Sequence, residues 1–163
     1  MGNKVSLGNG DKFKGKMVNG KKEGKGTYYY SDGSVYDGEF HNDLMEGQGT
    51  YKFRSGDKYT GQFKNDKMDG KGTYIFKNGD KYVGDFKEDR MNGKGVLTKA
   101  TGDKYEGDFV DGKPDGEGVF NYVAGHKYEG HFKAGKKHGH GVETYTDGFI
   151  YDGEWKYDEK VKK

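Results

Sequence analysis

Cysteine is absent from the chain, which excludes a disulfide framework, a thiolate metal site and a cysteine nucleophile and fits a reducing compartment. Aliphatic residues are scarce. Hydrophobic residues make up 29% of the 163 and the mean hydropathy is −1.20, too little for a large globular core. No apolar run approaches the roughly 20 residues that span a bilayer, and no secretory leader is visible. Charge of one sign is also lacking. Lys and Arg are interspersed with Asp and Glu to a net +2, so no general attraction to nucleic acid is expected. These features lead to the expectation of a soluble, cytoplasmic chain.

Such polarity often means disorder, but the chain is rich in two residue types that keep strict time. Its 14 tyrosines, 10 phenylalanines and 31 glycines fall almost entirely at a few positions of a 23-residue period with no insertion or deletion. Phe13, Tyr36, Tyr59, Tyr82, Tyr105, Tyr128 and Tyr151 begin the units. Glycine follows two residues later each time, and Met17, Phe40, Phe63, Phe86, Phe109, Phe132 and Trp155 two after that. A fixed period of this size marks a repeat architecture.

Within the unit beginning at Tyr59, the segment Tyr59-Thr60-Gly61-Gln62-Phe63 alternates large and small as a strand does. Residues 64–71 read as the longer turn, and Gly72-Thr73-Tyr74-Ile75-Phe76 as a second strand. Asn78-Gly79 then suits the positive φ angles of a tight hairpin turn. The reading is all-β: an elongated single-layer antiparallel meander, twisted or grooved, without a large core. Residues 1–12 form an amino-terminal segment with a degenerate half-repeat, 13–150 six full repeats, and 151–163 a partial seventh with a basic tail. Alternation gathers Tyr59, Phe63, Tyr74 and Phe76 on one aromatic face, with Thr60, Gln62 and Thr73 on the other.

The unit Tyr-x-Gly-x-Phe, Gly-x-Gly-Thr-Tyr, Asn-Gly-Asp-Lys-Tyr resembles the MORN (membrane occupation and recognition nexus) repeat over residues 4–155. The resemblance implies an antiparallel sheet that serves protein assembly, as in ciliary radial spokes, axonemes and cytoskeletal or membrane-cortex scaffolds. Met17, Leu97, Lys99 and Glu143 depart from the aromatic pattern and interrupt the face.

An exposed aromatic strip suits a helix or extended peptide of a protein partner. The expected contact residues are Tyr59, Phe63, Tyr74, Phe76, Tyr82, Phe86, Tyr105 and Phe109. The alternative is a membrane-contact module. Met1-Gly2-Asn3-Lys4-Val5-Ser6 matches the N-myristoylation pattern at Gly2, and Lys67, Lys71, Arg90 and Lys94 are candidates for anionic headgroups. One acyl chain anchors only marginally, and without cysteine palmitate cannot assist it. Residues 15–22 approximate a phosphate-binding loop but end Gly20-Lys21-Lys22 where Ser or Thr is required. His138-x-His140 lacks the companions of a zinc site, and acid pairs such as Glu106 and Asp108 lie on an open face that cannot shift their pKa. The expectation is no enzyme, no cofactor and no metal, located in the cytoplasm at cytoskeleton, cilium or the cytoplasmic face of a membrane. Oligomeric state is left open by the sequence.

Overall fold

The computed structural model describes residues 4–162; Gly2, the lipidation candidate, lies outside them. Among the described residues there is no helix. Fifteen strands follow one another in chain order in one open antiparallel sheet. They are β1 (Val5–Ser6), β2 (Lys12–Val18), β3 (Lys21–Tyr29), β4 (Val35–His41), β5 (Leu44–Lys52), β6 (Lys58–Lys64), β7 (Lys67–Ile75) and β8 (Lys81–Lys87). Then come β9 (Arg90–Thr98), β10 (Lys104–Val110), β11 (Lys113–Asn121), β12 (Lys127–Lys133), β13 (Lys136–Thr144), β14 (Ile150–Lys156) and β15 (Glu159–Lys160). Two compact units divide the chain. The first holds the residues up to Lys77 with Phe86–Asp89; the second holds Asn78–Asp85 and the residues from Arg90 onward.

The two turns of a repeat exchange the roles expected of them. The connection read as long is only Asn65-Asp66, both at positive φ (49° and 69°), the geometry of a two-residue primed turn. The strand after it therefore starts at Lys67 and runs nine residues. Asn and Asp tolerate this region best among non-glycine residues, and the aspartate has a further use. Asp66 Oδ1 accepts from the backbone of Met45 (2.8 Å), while its own N–H donates to the Met45 carbonyl (3.1 Å). Asp43 and Asp89 dock in the same way on Lys22 and Met68. Each turn is thus clamped to the preceding repeat. The other connection is longer: Phe53 N–H donates to Asp57 O (2.9 Å) and Gly56 N–H to Phe53 O (3.0 Å). In the Asn78-Gly79 dipeptide only the glycine has positive φ, 99°.

The period also contains a bulge that the sequence does not announce. Between β6 and β7, Gly61 faces Gly72 and Phe63 faces Met68, so Gln62 stands alone against residues 69–71. The bulge frees backbone polar groups, and side chains satisfy them from both faces. The Tyr59 hydroxyl donates to the Gln62 carbonyl (2.7 Å), and Gln62 Oε1 accepts from the Lys71 N–H (2.8 Å). The hydroxyls of Tyr36, Tyr82, Tyr105 and Tyr128 bond the same way to Glu39, Asp85, Asp108 and His131 carbonyls at 2.7–2.8 Å. Buried backbone groups require such partners, which explains why the position is tyrosine in every interior repeat.

To reach that carbonyl, the ring must lie flat over the strand pair. A Cβ added at Gly61 would stand 2.5 Å from Gly72 Cα and 2.7 Å from the Tyr59 oxygen, and one at Gly72 would enter the Tyr59 ring. Only glycine leaves the space. The next repeat's phenylalanine then closes the other side of the ring. In the first unit Tyr36 meets Phe40 and Phe63, and Tyr59 meets Phe63 and Phe86, all edge-on at 4.9–5.1 Å. In the second, Tyr82 meets Phe109, Tyr105 meets Phe109 and Phe132, and Tyr128 meets Phe132 and Trp155 at 4.9–5.4 Å. Edge-to-face pairs contribute about 0.5–1.5 kcal/mol each beyond area burial. This row of rings on glycine is the core.

Candidate functional site

The aromatic face holds two rows that differ in exposure. Tyr59, Phe63, Tyr82, Phe86, Tyr105 and Phe109 are 0%, 5%, 0%, 5%, 1% and 2% exposed. The sequence reads them as partner contacts, but the structure encloses them: the tyrosine rings lie over glycine backbone, and each phenylalanine packs edge-on against the tyrosine of the preceding repeat. Of the expected contact residues, Tyr74 and Phe76 remain half-buried. They belong to a second row carried on the nine-residue strands and just past their ends.

In the first unit this second row is an unbroken zigzag. Tyr28 meets Tyr30 (4.5 Å between ring centres), Tyr30 meets Tyr51 (5.5 Å), Tyr51 meets Phe53 (4.5 Å), Phe53 meets Tyr74 (5.6 Å) and Tyr74 meets Phe76 (4.6 Å). All six rings are half-buried, and the single-layer sheet places no second layer over them. Their hydroxyls turn inward. Tyr28 donates to Asp11 Oδ2 (2.6 Å) and Tyr74 to Asp57 Oδ2 (2.7 Å); these carboxylates also accept from Ser31 and Lys77 N–H groups at 2.7 Å. The Tyr28 hydroxyl, with the Ser31 N–H, holds Asp11 below the usual carboxylate range. Burial first, and Asp11 next, push the Tyr28 phenol up to about 12. Burial likewise raises Tyr30, Tyr51 and Tyr74. The ladder is therefore neutral across the physiological range.

The second unit breaks this row, as its sequence foretells. Leu97 is half-buried and Lys99 exposed where the first unit has rings. Phe120 and Tyr122 pair at 4.5 Å, and His126 stacks on Tyr122 (3.7 Å, 11°). Glu143 occupies a tyrosine position and is 4% exposed. Its carboxylate accepts from Lys137 Nζ (3.0 Å) and the Tyr145 hydroxyl (2.9 Å), with His126 Nε2 at 4.0 Å. Lys137 replaces the methionine of the central repeats and points over Tyr122, Tyr128 and Trp155. Burial opposes its charge, yet the Tyr122 hydroxyl and Glu143 together raise its pKa. Lys22 is similarly placed in the first unit, over Tyr28 and paired with Asp43 at 3.2 Å.

The opposite face is polar. Its histidines pair with carboxylates: His41 with Glu23 (2.7 Å), His131 with Glu117 (2.9 Å), and His140 with both Asp152 (2.9 Å) and Glu154 (3.6 Å). Among the described residues no cluster of three or more His, Asp or Glu side chains could hold a metal ion, and no helix is long and apolar enough to cross a membrane. The candidate headgroup residues sit in strands rather than in loops. Lys67 and Arg90 open β7 and β9, and Lys71 and Lys94 lie within them. Arg90 is 3.8 Å from Asp111, and Lys94 forms an ion pair with Asp108.

Sequence reading assigned one aromatic face but did not separate its rows, and so missed Tyr28, Tyr30, Tyr51 and Phe53 as accessible rings. The signal was present in the glycines. Only a ring whose strand pair carries glycine on both members can sink onto the backbone, and that condition is met by the first-row tyrosines.

Two solved structures share the architecture. The TCP domain of Drosophila melanogaster SAS-4 (dCPAP), in complex with a proline-rich motif of Ana2 (dSTIL), is 13% identical, with 93% of this chain and 83% of that chain covered and a TM-score of 0.56. The TCP10 domain of Danio rerio CPAP, in complex with a STIL peptide, is 16% identical over 93% of this chain and 67% of that one, with a TM-score of 0.57. At such identity the likeness is one of fold. A search of curated protein sequences gave no match. The MORN repeat matches residues 13–35, 36–58, 59–81, 82–104, 105–127, 128–149 and 151–161, and the chain therefore belongs to the MORN-repeat family.

Proposed function

We propose that this chain is a non-catalytic repeat scaffold that holds a segment of a protein partner on the accessible ladder Tyr28, Tyr30, Tyr51, Phe53, Tyr74 and Phe76, in cytoskeletal, ciliary or membrane-cortex assembly. The observation that carries the reading is the ladder itself: six contiguous half-buried rings, the four tyrosine hydroxyls turned inward, and no layer above them. Contiguous exposed apolar surface of this kind marks an interaction site. The two peptide-bound CPAP domains of similar fold support a peptide as ligand. Among the described residues the polar face carries a shallow, open depression lined by Lys25, Asp37, Glu39, Gln48, Thr50 and Thr60.

The test compares partners retained by the wild type with those retained by the triple variant Tyr30→Ser, Phe53→Ser, Phe76→Ser, after circular dichroism has shown the variant folded. Specific partners are expected to disappear from the variant and to include cytoskeletal or membrane-cortex proteins. An unchanged set of partners would mean that the ladder is not the binding surface.

A further inference from the structure

We infer that the segment held by this ladder is a polyproline II helix lying across the strands, one turn per repeat, with proline at every third residue. The inference rests on the reading of the ladder as a binding surface. It follows from matching the ladder's period to those of the chain conformations a ligand can adopt.

Tyr30, Phe53 and Phe76 are equivalent residues of three successive repeats, two strands apart each time. At about 4.8 Å per strand, equivalent rings recur every ~9.6 Å across the sheet. A polyproline II helix rises about 3.1 Å per residue with three residues per turn, or ~9.3 Å. Over the two intervals from Tyr30 to Phe76 it would drift by only about 0.6 Å. An α-helix returns to the same face after seven residues, about 10.5 Å at 1.5 Å per residue, and drifts about three times as far. A β-strand presents one face every ~6.7 Å, out of step with the rings.

The chemistry of the ladder selects in the same direction. A strand ligand gains its affinity from main-chain pairing at a sheet edge, but the ladder lies on a sheet face and presents rings. Its four tyrosine hydroxyls are committed internally. Tyr28 and Tyr74 bond to Asp11 and Asp57, and Tyr51 bonds to Tyr30 and to Ser34. What remains is neutral π surface, which suits a ligand that brings flat apolar rings and keeps its own backbone solvated. Polyproline II satisfies both demands and is already ordered before binding. The tilted contacts along the zigzag, 41–48° between ring planes from Tyr28 to Tyr74, leave angled slots between successive rings rather than one flat floor. In the second unit Leu97 and Lys99 replace two rings, so the match is confined to the first.

A phage-displayed library of random dodecapeptides, selected on the full chain and counter-selected on the folded Phe53→Ser variant, tests this. Enriched peptides are expected to carry prolines three residues apart. A synthetic peptide of that pattern should bind the Phe53→Ser and Phe76→Ser proteins at least tenfold more weakly than the wild type. Moving its prolines to two-residue spacing should cost as much. Ladder-dependent peptides with apolar residues at helical or alternating spacing would overturn the inference and leave the binding surface standing. Binders indifferent to Phe53 and Phe76 would overturn both.

Discussion

Replacing Tyr59 by phenylalanine removes one oxygen from a residue with no exposed surface. On hydrophobic grounds alone the change is neutral, since the ring and its edge-on contacts with Phe63 and Phe86 at 5.1 and 4.9 Å persist. The hydroxyl, however, is the donor to the Gln62 carbonyl at 2.7 Å, and Gln62 is the residue the bulge leaves without a partner on β7. A buried acceptor left unpaired costs about 1–3 kcal/mol. The control is Tyr74→Phe on the ladder. There Asp57 keeps its bond from Lys77 N–H and solvent reaches the site, so a change of about 0.5 kcal/mol or less is expected. Urea unfolding followed by circular dichroism measures both: Tyr59→Phe should lower the midpoint with an unchanged slope, and Tyr74→Phe should leave it nearly in place. Equal effects, or an unaltered midpoint for Tyr59→Phe, would refute the assignment of the hydroxyl to the bulge. The chain itself offers one precedent. Phe13 holds the corresponding place in the first repeat, where Gly15 and Lys16 are exposed and water can take the hydroxyl's role.

Gly72→Ala forces its methyl group into the Tyr59 ring; a loss of about 3 kcal/mol is expected in the same urea assay. Glu143→Ala leaves the half-buried Lys137 ammonium without its carboxylate, which should cost about 3 kcal/mol, whereas Lys137→Met with Glu143→Tyr, the pair found at Met68 and Tyr74, should restore or exceed wild-type stability. Burial raises the phenol pKa of Tyr36, Tyr59, Tyr82 and Tyr105, and that of Tyr128 to about 12. Their stabilisation is complete below the unfolded value near 10 and is lost as pH rises through the folded values, at about 1.4 kcal/mol per pH unit for each tyrosine. Absorbance at 295 nm should therefore show the last tyrosines ionising together with loss of circular dichroism above pH 10; ionisation of all 14 tyrosines with the fold retained would contradict it.

The strand alternation, the repeat register and the aromatic face were legible because they are consequences of period-2 geometry repeated every 23 residues. The breaks at Leu97, Lys99 and Glu143 were legible for the same reason. Three things were not. The bulge at Gln62 was hidden because Gly70 and Gly72 read as turn and strand alike, so residues 64–71 looked like a long loop instead of a tight turn followed by an irregular strand. The division of the rings into buried and accessible rows depends on which strands pair across which glycines, a fact of register rather than of composition. The partnership of Lys137 with Glu143 joins residues six apart on one strand, and it becomes visible only once both are seen to share the aromatic side.

The separation of a locked tyrosine core from an accessible ladder is tested most directly by mapping a bound partner peptide in solution. Ring and methyl resonances of the full chain are followed by NMR as the peptide selected on the wild type is added. Signals of Tyr30, Phe53 and Phe76 are expected to move and broaden while those of Thr27, Thr50 and Thr73 on the opposite face stay in place. Perturbation confined to the threonine face, with the ladder unmoved at saturation, would contradict that separation.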